Sequence, residues 1–173
     1  MDEQFTNFCL EKKDMQIHIV KKTMKYIEKQ KLLDEFYSAE DLPERYFHLK
    51  FLTPVSFKSN NCYMNMPDLR LIYQSLMNKY SVSSELLNMY DEETLEQLTA
   101  HSCISGYRLK STFFPLEKVK IPSFIGGITI KVSGTATLAK YIRLLLRFGE
   151  YSGVGIKTAM GMGSYEIIEH QHR

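Results

Sequence analysis

The run from Glu150 to Ser164, EYSGVGIKTAMGMGS, gathers residue types that can hold an anion. Gly153, Gly155, Gly161 and Gly163 are four of the chain's nine glycines, and they fall within eleven residues that also contain Lys157 and Thr158. Turning a chain around takes far fewer residues. Glycines let a backbone approach a ligand closely, and successive N–H groups in a tight loop form a concavity that suits phosphate. A lysine amine and a threonine hydroxyl in the same loop add a charge and a donor. The expected chemistry is phosphate binding through bare amides. The plainer alternative is a helix C-cap at Gly149 or Gly153 followed by a wide turn.

Two nucleotide-binding patterns fail against this run. A P-loop needs Gly-Lys-Ser/Thr after a strand and at the start of a helix, whereas Ile156 separates Gly155 from Lys157. A dinucleotide fingerprint would need glycine at position 158, and threonine stands there. The periodicity around the loop also reads helix, loop, strand, so no helix N-terminus follows to receive a pyrophosphate.

The other reactive residues form no pattern. Cys9, Cys62 and Cys103 are odd in number and widely spaced, which suits a reducing cytosol and suggests neither a disulfide framework nor a zinc site. His101-Ser102-Cys103 and His170-Gln171-His172 are too thin to chelate a metal. No metal or cofactor is expected. No apolar run is long enough to span a bilayer, and Met1-Asp2-Glu3 does not open a secretory signal, so a cytoplasmic protein with no membrane partner is expected.

The net charge of +2 conceals segregation. From Tyr80 to Tyr107 there are five acids and no lysine or arginine, whereas Arg108 to Lys157 holds nine bases against Glu117 and Glu150. A basic stretch running up to a glycine-rich loop favours a polyanionic partner.

The elements that would position these residues can be read in outline. Phe8–Leu10 and Gln16–Val20 look like strands with no partner in the first forty residues, and Lys21–Tyr37 has helical spacing. Ser38–Glu44, with Pro43, reads as a linker. Phe47, Leu49 and Phe51 then alternate with His48, Lys50 and Leu52 in a strand that Pro54 is expected to close. Asp68 can cap a helix through Tyr80, and Glu92–Ala100 forms an acidic helical stretch. Ile104–Phe114 and Val119–Val132 are strands, Thr137–Tyr151 is an amphipathic helix, and Tyr165–Ile168 is the last strand. This order is an α+β, ferredoxin-like βαββαβ domain with a helical insertion. One sheet face would lie under the helices and the other would be open.

Three stretches resemble the CRISPR repeat-cleaving endoribonucleases of the repeat-associated mysterious protein superfamily. They are Phe51-Leu52-Thr53-Pro54-Val55-Ser56-Phe57-Lys58 with Tyr63 and Pro67, the lysine-rich Val119–Gly126, and Phe148 through Gly163, similar to the superfamily's C-terminal glycine-rich loop. The resemblance runs from about Phe47 to Ile168. It implies two ferredoxin-like domains, with residues 1–45 a remnant of the first plus a linker and residues 46–173 the C-terminal RNA-binding domain. It implies processing of precursor CRISPR RNA in antiviral defence by metal-independent attack of a 2′-hydroxyl, leaving a 2′,3′-cyclic phosphate.

The implied RNA contacts are Gly153, Gly155, Lys157, Thr158, Gly161 and Gly163 in the loop, with Arg108, Lys110, Lys118 and Lys120 on the strands before it. None of His18, His48 or His101 lies in the family's catalytic motif, so the catalytic residues are expected upstream of this chain. Implied partners are CRISPR repeat RNA, subunits of a CRISPR effector complex and a second copy in a homodimer. The competing readings are a non-catalytic RNA-binding subunit of such a complex and a degenerate gene remnant.

Overall fold

A computed structural model describes residues 7–10, 15–21, 23, 26–38, 44–83, 90–116 and 119–168. Strands β1 (Asn7–Leu10) and β2 (Met15–His18) pair antiparallel with each other, Asn7 opposite His18. The two strands expected to lack a partner therefore supply one another, since only residues 11–14 separate them. Helix α1 spans only Lys29–Ser38. Within the longer helix expected from Lys21, positions 21, 23 and 26–28 are not helical. Val20 and Thr23 are β-branched and favour extended backbone, and the helix forms where Leu32, 3% exposed, can be buried. Most of the expected linker, residues 39–43, lies outside the described residues.

Strand β3 (Tyr46–Val55) runs through Pro54 rather than ending there. Its pairing shifts register between Phe51 and Val55, which places the proline, lacking an N–H, where the ladder is already interrupted. Strands β4 (Phe57–Ser59) and β5 (Cys62–Met64) form a hairpin absent from the sequence reading. Its turn residues Asn60 and Asn61 have φ of 48° and 61°, as a type I′ turn requires. Helix α2 (Leu69–Ser83) begins where Asp68 Oδ1 accepts the Leu71 N–H at 3.0 Å. Helix α3 (Glu92–Ala100) is capped by Asp91, which accepts the Thr94 N–H at 2.8 Å. Strands β6 (Ser102–Leu116) and β7 (Val119–Val132) form a long hairpin, followed by helix α4 (Ala136–Ser152) and strand β8 (Tyr165–Ile168).

The main sheet has the order β6-β7-β3-β8, and every neighbouring pair is antiparallel. With α2 after β3 and α4 after β7, this is the ferredoxin-like βαββαβ arrangement, α3 lying between α2 and β6. Register puts Phe47, Leu49 and Phe51 on the same face as Ile130, Ile128 and Gly126. That face packs on Ile72, Tyr73, Leu76 and Met77 of α2 and on Ile142, Leu145 and Leu146 of α4. Each such side chain contributes roughly 1.5–3 kcal/mol by leaving water. The opposite face carries His48, Lys50, Thr129 and Lys131, all partly or fully exposed. The helices thus take one face and leave the other open.

Candidate functional site

The glycine-rich segment leaves α4 at Gly153, whose φ of 67° ends the helix and whose N–H bonds to the Gly149 carbonyl at 2.8 Å. It is then pinned to two elements. On the β3 side, the Ile156 N–H donates to the Ser56 carbonyl at 3.0 Å, and the Gly163 N–H to the Pro54 carbonyl at 2.9 Å. The Ser164 N–H donates to Thr53 Oγ1 at 2.9 Å. On the α2 side, the Gly155 N–H donates to Ser75 Oγ and Lys79 Nζ donates to the Gly153 carbonyl, both at 2.9 Å. Across the loop, the Val154 N–H reaches the Gly163 carbonyl at 2.9 Å.

These bonds revise the expectation of bare glycine amides. The N–H groups of Gly153, Gly155, Gly161 and Gly163 are all taken inside the protein. Two of these glycines serve close approach instead: a Cβ on Gly155 would collide with the Ser56 carbonyl, and one on Gly163 with the Val154 carbonyl. Among the described residues, the loop amides that find no acceptor are those of Lys157, Thr158 and Ala159. They lead into a single 3-10 turn, Thr158–Met160, preceded by Lys157 in the left-handed region at φ 55°. Lys157 is exposed and Thr158 half-buried. Three neighbouring donors beside an exposed amine can bind one phosphate group.

Glu150, at the head of the same run, has a structural part. It accepts the Ile167 N–H at 2.8 Å and lies 3.2 Å from the Arg147 guanidinium, fastening β8 to α4. Tyr165 adds a second fastening: its hydroxyl donates to the Leu146 carbonyl at 2.6 Å, and burial raises its pKa. Burial lowers the Lys79 amine to about 8.

The strand bases are placed separately from the loop. Arg108 and Lys110 are exposed on β6, at the edge farthest from β8. Three strand spacings separate the two edges, about 14 Å. Arg108 lies opposite Gly127, which lies opposite Lys50, which lies opposite Glu166, so these four form one row across the open face. Gly127 leaves a gap without a side chain between two cations. Lys50 meets Glu166 at 2.9 Å, and the Lys131 amine stands 5.9 Å from the Tyr46 ring centre. Lys120, opposite Pro115, is on the part of the β6–β7 hairpin that runs past the last β3 pairing at Phe124. Lys118 lies outside the described residues.

Sequence reasoning missed two groups. Lys50 and Lys131 on the open face could have been found from the in-out alternation of their strands. Ser75 and Lys79, which hold the loop from α2, carry no local signal because the contact spans 80 and 74 residues. Among the described residues, no histidine is bonded to the loop. His18 pairs with Asn7 at 2.6 Å, and His48 Nδ1 lies 2.9 Å from Thr129 Oγ1 on the open face. Among the described residues no three His, Cys, Asp or Glu side chains gather as metal ligands, and no helix is long and apolar enough to cross a membrane.

Residues 49–165 match the family model of the CRISPR-associated endoribonuclease Cas6. Over 141 residues the chain is 45% identical to the Streptococcus thermophilus Cas6, covering 82% of this chain and 57% of that protein. It is 38% identical over 123 residues to a Mycobacterium tuberculosis Cas6, covering 71% of this chain and 39% of that one. A solved structure of Thermus thermophilus Cas6 superposes with a TM-score of 0.66 at 26% identity, over 79% of this chain and 57% of that chain. The chain thus spans little more than half the length of the relatives it matches, or less. With the sheet order, the glycine-rich loop and the family match in agreement, the chain belongs to the Cas6 family of CRISPR-associated endoribonucleases.

Proposed function

We propose that this chain is the RNA-gripping part of an endoribonuclease that processes precursor CRISPR RNA. The observation that carries the reading is the trio of unbonded amides at Lys157–Ala159, beside an exposed amine on a loop pinned to α2 and β3. One backbone phosphate would sit on these donors. Lys157 would neutralise it and the Thr158 hydroxyl would add a donor. Arg108, Lys110 and Lys120 would follow the RNA backbone along the open face and the protruding hairpin, with Lys50 and Lys131 beside them.

In the proposed reaction the 2′-oxygen attacks the adjacent phosphorus and gives its proton to a base. The bond to the 5′-oxygen breaks, that oxygen takes a proton from an acid, and a 2′,3′-cyclic phosphate remains. Amides and lysine holding the phosphate oxygens would stabilise the charge that builds there, with no metal required. None of the residues assigned here is the acid or the base.

The test is titration of labelled repeat RNA with the chain in EDTA across a salt series. Binding whose logarithm falls linearly with log salt is expected, with little or no cleavage. Binding indifferent to salt, or none at low salt, would sink the phosphate-grip reading. Clean cutting at one position would overturn the assignment of the acid and base to residues outside this chain.

A further inference from the structure

Beside the loop, the ends of α2 and α4 enclose an open depression of about 520 Å³. Asn78 and Lys79 come from α2, Phe148 and Tyr151 from α4, and Thr158 from the 3-10 turn. We propose that this depression is a nucleobase subsite, taking one base of single-stranded RNA whose phosphate rests on the loop. The proposal rests on the phosphate-grip reading and adds a second, base-dependent contact to it.

Four features support it. Tyr151 lies one helical turn beyond Phe148, so their rings share a face of α4. Phe148 is fixed by an edge-on contact with Tyr80, ring centres 5.0 Å apart, while Tyr151 is 45% exposed and presents its ring at the rim. A fixed ring with an exposed one beside it is what stacks a base, and any base can use it. Next, Asn78 is exposed at the rim, and its amide can offer a donor and an acceptor to a base edge. Among the described residues Lys79 is the one cation lining the depression; it already donates to the Gly153 carbonyl, and burial brings its amine to about 8. The depression is therefore poorly suited to a second phosphate and well suited to a neutral ring. Finally, Thr158 belongs both to this wall and to the trio of unbonded amides, so base and phosphate positions adjoin.

The experiment measures binding of the full chain to a short oligoadenylate and to an abasic ribose-phosphate oligomer of the same length. Tyr151→Ala is expected to weaken oligoadenylate binding about tenfold, to leave the abasic oligomer unchanged, and to be rescued by Tyr151→Phe. Lys157→Ala is expected to weaken both ligands. Asn78→Ala, on an exposed position, is expected to change the preference between oligoadenylate and oligouridylate while leaving the melting temperature alone. If Tyr151→Ala affects both ligands equally, or neither, while Lys157→Ala still weakens both, the subsite is overturned and the loop grip stands. If Lys157→Ala weakens neither, the loop reading itself fails.

Discussion

Lys157 joins three properties in one residue: an exposed amine, an unbonded N–H and a left-handed backbone at φ 55°. That backbone costs a non-glycine residue roughly 1 kcal/mol or more. Lys157→Gly should relieve the strain and keep the amides while removing the amine. We expect it to bind RNA more weakly, with the slope of log affinity against log salt reduced by about one, and to be at least as stable in a denaturant melt. A variant with unchanged slope would mean that the amine does not touch phosphate. Lys79 gives a prediction about stability. Its amine titrates near 8 in the folded chain, against 10.5 for an ordinary lysine. Between those values the unfolded chain holds the extra proton, so this residue makes folding more favourable as pH rises through that window. Denaturant melts from neutral to alkaline pH should show the rise in the native chain. Lys79→Met should abolish the part due to this residue.

The elements differ in how far the sequence revealed them, and the reason is the range of the forces that shape each. Helix α4 was legible because Leu138, Ile142 and Leu145 repeat at its own period; its cap at Thr135 was not part of that reading. Leu145 is fully buried between the sheet and α2. Leu145→Ala should cost about 2–5 kcal/mol, read from a shift of the denaturant midpoint without change of slope. The length of α1 was not legible, because the helix forms only where Leu32 finds a buried seat, and that seat is provided by tertiary packing. The loop was legible as a glycine cluster, but the use of its glycines was not. Which amides stay unbonded depends on Ser56, Ser75 and Pro54, none of which is near it in sequence. Gly163→Ala would set a methyl against the Val154 carbonyl. It should disturb the loop and weaken RNA binding at least as much as loss of the Lys157 amine, while hydrogen exchange in α4 stays slow. Wild-type affinity in that variant would show that the loop tolerates rearrangement.

At the scale of the molecule, charge and topology divide the work. Acidic α3 and the basic β6–β7 hairpin are consecutive in sequence; the helices occupy one face of the sheet, Lys50, Arg108 and Lys131 lie on the other, and Lys140, Arg143 and Arg147 belong to α4. An RNA approaching from solvent would be steered to the basic side at a rate that falls with ionic strength. Stopped-flow association should slow with salt far more than dissociation quickens. The bond from Ser164 to Thr53 joins residues 111 apart, and Lys79 reaches Gly153 across 74. Closing such distant pairs is late work in folding, because the intervening chain must already be ordered. During synthesis every basic residue of the hairpin leaves the ribosome before the pinned loop can exist. A nascent chain without β8 would carry its charge but have no formed grip, so on the proposed reading the onset of RNA binding would report that the fold has closed.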